Sequence, residues 1–372
     1  MAVKFFGKST GFLIMAILAV GPARLAAQPG QEEAAPVKTA AEVQKNIQVF
    51  KTLPASQLDM VMDLMASSLG VRCGFCHVQD STGWHYEKDD KLEKRKTRKM
   101  IEMVTDLNTK TFGGRSAVTC YTCHRGTTEP VEMIPIPPPS PKQRRSEEER
   151  TSYPAVESIM AKYEASLGGA EAIGKISSRV TKGKAVDAQG REMPQVISQL
   201  APGNYLAVTT MREGVERSVG FDGATGWMSS PRGMRELPPD AAVELRNAAF
   251  LFPIQHMREL KKLLHVYGTD TVGGTGVFVL SAQLTRGITE KYYIDSTSGL
   301  LLRKVSTTDT PIGLIPEETD YSDYRAVDGV KVPYAVTTVA VDPHDGSTFR
   351  VESVEQNVHL DPKKFMMPPA KK

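Results

Sequence analysis

The chain has four cysteines, and all four fall in two copies of one short motif. Cys73-Gly74-Phe75-Cys76-His77 is the first copy and Cys120-Tyr121-Thr122-Cys123-His124 the second. C-x-x-C-H is the attachment signature of c-type haem. The spacing follows from the chemistry. Both thiols add across the vinyl groups of one porphyrin as thioethers, and the adjacent His then lies beneath the ring, where its imidazole binds iron. Other uses of such cysteines fit less well. Zinc can draw on two C-x-x-C pairs but needs no His after each. A thioredoxin-type dithiol belongs in a βα setting, whereas one motif here follows a helical pattern and the other a Gly-rich turn. Disulfides are allowed in an oxidising compartment but leave both histidines without a role. Two covalently bound c-type haems, each with its iron, are the expected cofactors. Cys73, Cys76, Cys120 and Cys123 would attach them, and His77 and His124 would be axial ligands.

Haem of this kind is attached outside the bacterial cytoplasm, and the first residues agree. Lys4 and Lys8 give a positive start, residues 11–20 an apolar stretch, and Pro22 a break. Leu25-Ala26-Ala27 then offers small residues for cleavage. The apolar run is short for a bilayer span, so residues 1–27 read as a secretory signal and predict a periplasmic protein. No cysteine follows for a lipid anchor, and no later segment is apolar enough to cross a membrane. Membrane association would then come through other molecules. A net charge of +3 is too small to imply nucleic acid as a partner. With two Trp, base-stacking platforms are not suggested either.

The chain divides by composition into an α+β multidomain protein. Residues 28–41 read as a flexible lead-in. Residues 42–128 hold both motifs and read as a mainly helical dihaem domain. Residues 129–152 carry six prolines, at 130, 135, 137, 138, 139 and 141, and then a charged run, so they read as an extended linker. Residues 153–372 begin with a helix over 156–167, closed by Gly168-Gly169. Short strand-like runs follow at 194–200, 204–210 and 215–221, and again at 276–284, 291–294, 300–306, 333–341 and 348–354. Most are separated by Gly, Asp or Ser, and Asp222-Gly223 is a strong tight-turn signal. Residues 245–265 read as helix or loop between two strand groups. This pattern predicts an antiparallel curved sheet or half-barrel.

The second axial position of a c-type haem is usually filled by Met or His. Before the first motif, Leu58, Val61, Met62, Met65 and Leu69 fall on one helical face, with Met60 turned away. Gly70 ends that helix. A haem lying along it would meet Met62 or Met65, although a Met stripe is also ordinary core, and Met65 reads that way. Before the second motif, residues 91–109 are amphipathic, with Met100, Met103, Val104 and Leu107 on one face. Met100 or Met103 is the candidate there, and His85 is a rival.

Residues 61–126 resemble the cytochrome c subunit of photosynthetic reaction centres. The likeness is carried by Ser68-Leu69-Gly70-Val71-Arg72 leading into the first motif, by Arg98-Lys99-Met100 and Leu107-Asn108, and by Val118-Thr119 and Arg125-Gly126 flanking the second. It extends over about a quarter of the chain, roughly residues 42–130 by pattern. The resemblance implies that each haem lies along the helix preceding its motif and takes Met from it. Met62 stands in that position for the first motif, and Met100 is the corresponding choice for the second. The family carries four haems in two halves, and this chain resembles the second half. There the last haem takes a His from the first half, which this chain lacks. Residues 153–372 more weakly resemble the LolA/LolB-like carriers of lipoproteins and lipids, through residues 221–228 and 293–300. This implies a hydrophobic ligand on the concave face of the sheet.

The expected function is electron transfer, with redox proteins as partners, membrane-associated ones among them. A basic helix over residues 86–99 would steer an acidic partner, or serve as a solvated face, since four acids interleave its seven cations. Two alternatives stay open: a dihaem redox enzyme with an open iron position, and a binder of a lipid-like ligand that carries a redox module.

Overall fold

Helix-forming and strand-forming periods change over between residues 128 and 178, and two kinds of structure follow. The computed structural model describes residues 37–133 and 153–368, apart from 232, 240, 286 and 343–345. The expected signal segment, most of the expected linker and the last few residues lie outside the described residues.

In the first region a single turn, α1 (Ala40–Val43), precedes α2 (Leu58–Leu69). Straight-chain Leu and Met side chains lose little rotamer freedom in a helix, which favours α2. It stops at Gly70 in the left-handed conformation, φ 64°. The first motif forms one turn, α3 (Cys73–Cys76). A two-stranded ribbon follows, β1 (Val78–Asp80) and β2 (Gly83–His85). Then come α4 (Leu92–Phe112), ended by left-handed Gly113 at φ 63°, and the second motif as α5 (Cys120–His124). The region is thus helices plus a ribbon.

The second region opens with α6 (Val156–Ser166) and α7 (Gly169–Gly174). The first strand group is β3 (Ser178–Asp187), β4 (Glu192–Leu200), β5 (Asn204–Thr210), β6 (Glu216–Phe221), β7 (Gly226–Ser230) and β8 (Gly233–Glu236). Helices α8 (Val243–Ala248) and α9 (Pro253–Glu259) separate it from the second group. That group is β9 (His265–Val272), β10 (Thr275–Thr285), β11 (Ile288–Asp295), β12 (Leu301–Thr310), β13 (Gly313–Val327), β14 (Val330–Val339) and β15 (Ser347–Gln356). All thirteen strands form one antiparallel sheet, with β8 and β9 at its two edges and β3 paired with β15 in the middle. The sheet is open rather than closed. Local turns make this topology cheap, because short connections lose little chain entropy. Asp222 Oδ1, for example, accepts from the backbone N–H of Ala224 at 3.0 Å and of Thr225 at 2.7 Å.

One core lies between α6, α7, α9 and strands β10–β14. Tyr163, Ile254, Met257, Leu280, Tyr292 and Leu301 are fully buried there. Each such side chain contributes about 1.5–3 kcal/mol by leaving water. A second core joins the two regions: Leu58, Val61, Leu64 and Met65 of α2 and Ile101 of α4 close over Ile312 and Ile315 of the β12–β13 hairpin.

The structure corrects several sequence expectations. The buried residues of α2 are Leu58, Val61, Leu64, Met65 and Ser68, while Met60 and Met62 lie together at the margin of the core. On α4 the buried residues are Ile101, Val104 and Asn108, so Met100, Met103 and Leu107 face outward. Asn108 turns inward because its side chain bonds both the N–H and the C=O of Val118, at 2.9 and 2.7 Å. The basic helix does not begin at residue 86. Residues 86–91 form a loop, and helix starts at Leu92. Strands β3, β8, β9 and β13 are not among the expected runs.

Candidate functional site

The two motifs are one-turn helices with different neighbours. α3 packs on the start of α4, where Lys91 Nζ donates to the Gly74 carbonyl and the Thr97 side chain meets the Cys76 thiol. α5 packs on α2 and the second core, with Cys120 against that core. Each motif therefore rests on the helix that precedes the other one. Burial pushes the Cys76 and Cys120 thiols up from their ordinary range. No disulfide joins any of the four cysteines. Among the described residues no group of three or more His, Cys, Asp or Glu side chains is assembled as a metal site. The two C-x-x-C pairs are therefore not drawn together into a thiolate cage of the zinc kind.

The sequence explains the setting of the second motif. Thr119 caps α5: its Oγ1 accepts from the Thr122 N–H at 3.2 Å, and Thr122 Oγ1 accepts from the Thr119 N–H at 3.0 Å. Arg125, left-handed at φ 52°, turns the chain back. This brings the Thr127 carbonyl within 3.1 Å of His124 Nδ1. A carbonyl only accepts, so Nδ1 is the donor in this contact, and Nε2 is the nitrogen left for iron. That is the tautomer an iron-binding histidine needs, and the backbone partner orients the ring. His77 is half-buried, and burial lowers its pKa, with Lys94 adding to the effect and the Tyr86 backbone opposing it. The neutral imidazole favoured in this way is the form that binds metal. Its Nδ1 is buried with no hydrogen-bond partner among the described residues.

Two thiols and one imidazole per motif suit a c-type haem, and α4 leaves apolar side chains uncovered. Met100 and Met103 are 46% and 53% exposed, with Leu107 continuing the same stripe. Phe75, Trp84 and Tyr86 surround the first motif, the last two stacked at 5.6 Å. His85 sits on β2 with Nε2 2.8 Å from Asp80 and 3.1 Å from Thr82, beside the first motif rather than the second. The Thr82 hydroxyl and His85 hold Asp80 well below the usual carboxylate range.

The cations of the expected basic helix are largely engaged. Lys94 and Arg98 meet Asp89 at 3.1 and 2.9 Å, and Lys94 also bonds the carbonyls of Tyr86 and Lys88, both at 2.7 Å. They build the 86–90 loop rather than a free steering face. Asn108 and Thr119 entered the sequence reading only as part of the family likeness, with no role given, and Thr127 not at all; here all three orient the second motif. The Thr-x-x-Thr capping pattern across the motif was the readable signal.

Residues 17–166 match the family described as the photosynthetic reaction centre cytochrome C subunit. The N-terminal part of this chain is similar to that subunit. The Thermochromatium tepidum subunit is 33% identical over 107 residues, covering 28% of this chain and 25% of the relative. That of Rubrivivax gelatinosus is 32% identical over 130 residues, covering 31% and 33%. The chain thus spans between a quarter and a third of the length of these relatives. A c-type cytochrome is the class this likeness supports. The sheet resembles a lipoprotein-sorting protein domain from Vibrio parahaemolyticus, with 13% identity, a TM-score of 0.40 and coverage of 56% and 94%. It also resembles a LolA superfamily protein from Nitrosomonas europaea, with 10% identity, a TM-score of 0.41 and coverage of 57% and 98%. Values this low assign the sheet no ligand. Where the sheet is not covered by helices, Met193, Met211 and Met228 with Arg217 and Arg235 line an open groove of about 1140 Å³. Among the described residues no helix is long and apolar enough to cross a membrane.

Proposed function

We propose that this chain is an exported, periplasmic c-type cytochrome that carries two covalent haems and transfers electrons between redox proteins, membrane-associated ones among them. Cys73, Cys76 and His77 would hold the first haem, and Cys120, Cys123 and His124 the second. Met62 and Met100 would take the sixth positions. The division into a signal (1–27), a mainly helical dihaem domain (42–128), a linker (129–152) and a β domain (153–372) belongs to the same reading. The observation that carries it is the orientation of His124: the Thr127 carbonyl holds Nδ1 as donor and leaves Nε2 free beside a C-x-x-C turn.

When bound, haem iron supplies reversible one-electron chemistry. The chain's own residues fix its surroundings. Thr119 and Thr122 hold the second turn, Thr127 orients the imidazole, and Lys91 ties the first turn to α4. No side chain of the chain needs to accept or release a proton for such transfer.

The test is a pyridine haemochrome assay with intact mass, on protein made in a host that matures c-type cytochromes. Two haems per chain are expected, with the first attachment lost in Cys73→Ser/Cys76→Ser and the second in Cys120→Ser/Cys123→Ser. No covalent haem would sink the reading. Binding of carbon monoxide to the reduced protein would move it from carrier to enzyme with an open iron position.

A further inference from the structure

We infer that the β12–β13 hairpin of the sheet is a positioning element for the second haem and sets that haem's potential independently of the first. This rests on the dihaem reading above and gives the C-terminal region a part in it.

The hairpin tip is built into the wall behind the second motif. Ile312 is fully buried and Ile315 nearly so, both in the core that α2 closes and that Cys120 packs against. Between them Gly313 faces Thr119, the cap of α5. A Cβ at Gly313 would stand 2.9 Å from Thr119 Cγ2 and 3.5 Å from Leu64 Cδ2. The turn is closed by Thr310 Oγ1 donating to the Gly313 carbonyl at 2.7 Å. It also grips the segment leading into the motif: Ser116 Oγ lies 2.7 Å from Asp309 Oδ1 and 2.9 Å from the Thr310 carbonyl. From the other side Asn108 clamps Val118 through both its backbone groups. Residues 116–119 are thus fixed between α4 and the sheet, and they aim Cys120 and His124.

Among the described residues the first motif has no such wall. Its neighbours are α4 and the β1–β2 ribbon, with Trp84 facing Gly74. From the sheet it meets a long ion pair, Arg72 to Asp342 at 3.8 Å, with the Arg72 side chain 65% exposed. Ser67, at the end of α2, also donates to the Val341 carbonyl at 2.9 Å. These contacts lie before the motif. Haem potential follows ligand geometry, hydrogen bonding and burial. A shift of the hairpin tip therefore changes those quantities at one haem.

The test uses the full-length holoprotein and three variants: Ser116→Ala, Gly313→Ala, and Gly273→Ala as a control in another hairpin turn, where a Cβ meets nothing within 4 Å. Haem content is measured first, and a potentiometric titration then resolves two waves. The wave that remains in Cys120→Ser/Cys123→Ser belongs to the first haem. The expected result is that Ser116→Ala and Gly313→Ala move the second wave while the first stays and the control moves neither. The shift should change the electron distribution between the haems about threefold, roughly 30 mV at about 59 mV per tenfold for one electron. Should Gly313→Ala fail to fold, Ser116→Ala carries the test alone. Two haems with both waves unmoved, or both moved equally, overturn the inference and leave the dihaem reading intact. Fewer than two haems on the unmodified chain overturn both.

Discussion

Gly70 and Gly113 are a matched pair that separates backbone strain from a contact between the two motifs. Both end a helix in the left-handed region, at φ 64° and φ 63°. Substitution by Ala costs each about 1–2 kcal/mol for placing a Cβ in that conformation. Their surroundings differ. A Cβ on Gly113 meets nothing within 4 Å, whereas one on Gly70 overlaps the carbonyl oxygen of Gly126, just past the second motif. Gly126 cannot withdraw freely, because its N–H donates to the Ser68 carbonyl at 2.8 Å. Losing that bond adds about 0.5–1.5 kcal/mol, and more if the carbonyl of Ser68 stays buried without a partner. Gly70→Ala should therefore be less stable than Gly113→Ala by about 1–3 kcal/mol. Urea unfolding of the holoprotein, followed in Soret absorbance and in tryptophan fluorescence, measures the difference. Equal midpoints for the two variants would refute the argument that residues 70 and 126 brace the motifs against each other.

Two further predictions concern the sheet interior. Glu290 is buried and accepts from His256 Nε2 at 2.9 Å, Lys304 Nζ at 2.8 Å, Asn247 Nδ2 at 3.2 Å and the Tyr292 hydroxyl. Burial raises its carboxyl, but these partners more than reverse that and hold it at about 2. Glu290→Leu leaves Lys304 and His256 without their shared anion and should cost about 3–5 kcal/mol, read by urea unfolding at pH 7. A loss under about 1 kcal/mol would contradict the role given to this cluster. Glu317 behaves in the opposite way: burial, with Glu244 nearby, pushes its carboxyl from 4.5 up to about 7. The folded state then holds a proton that the unfolded state releases. The stability Glu317 contributes is complete below about pH 4.5 and is lost as pH rises through about 7. Glu317→Gln should remove up to about 3 kcal/mol of this pH dependence, and an unchanged profile of thermal midpoint between pH 5 and 8 would count against it.

Much of the sheet was readable because Asp and Gly mark its turns. Residues 204–210 coincide with β5, and the expected turn at Asp222-Gly223 joins β6 to β7. Strand β13 was not readable. Its sequence, Gly313–Val327, contains Pro316 and four acidic residues, a composition that reads as loop. Pairing with β12 and β14 on both sides overrides that preference. The site divides the same way. The cysteines and histidines declare themselves by spacing alone. The face of α4 did not, because hydrophobic periodicity cannot foresee that Asn108 turns inward to bond Val118 on both sides while Met100 and Met103 stay outside.

The interleaved charges of residues 86–99 show how far a charge pattern can be read. In the sequence they suggested a steering surface or a solvated face. In the fold Asp89 gathers Arg98 and Lys94, and Gln48 Nε2 joins it at 3.1 Å. The Arg98 hydrogen bond, first among several, holds the Asp89 carboxyl well below the usual range. Lys94 and Arg98 are only 11% and 13% exposed, so they stay where their partner keeps them. The loop they hold carries Tyr86, whose ring meets His77 edge-on at 5.1 Å. The setting of the first motif is thus built by charge, and that of the second by apolar packing on the sheet. Asp89→Asn should separate them. It strands two half-buried cations, at about 1–3 kcal/mol of local stability, and frees Tyr86 from the first motif. The expected outcome is a smaller share of chains carrying the first haem at maturation, with the second unchanged, read by intact mass and peptide mapping. Equal loss of both haems in Asp89→Asn would mean that the two settings are one.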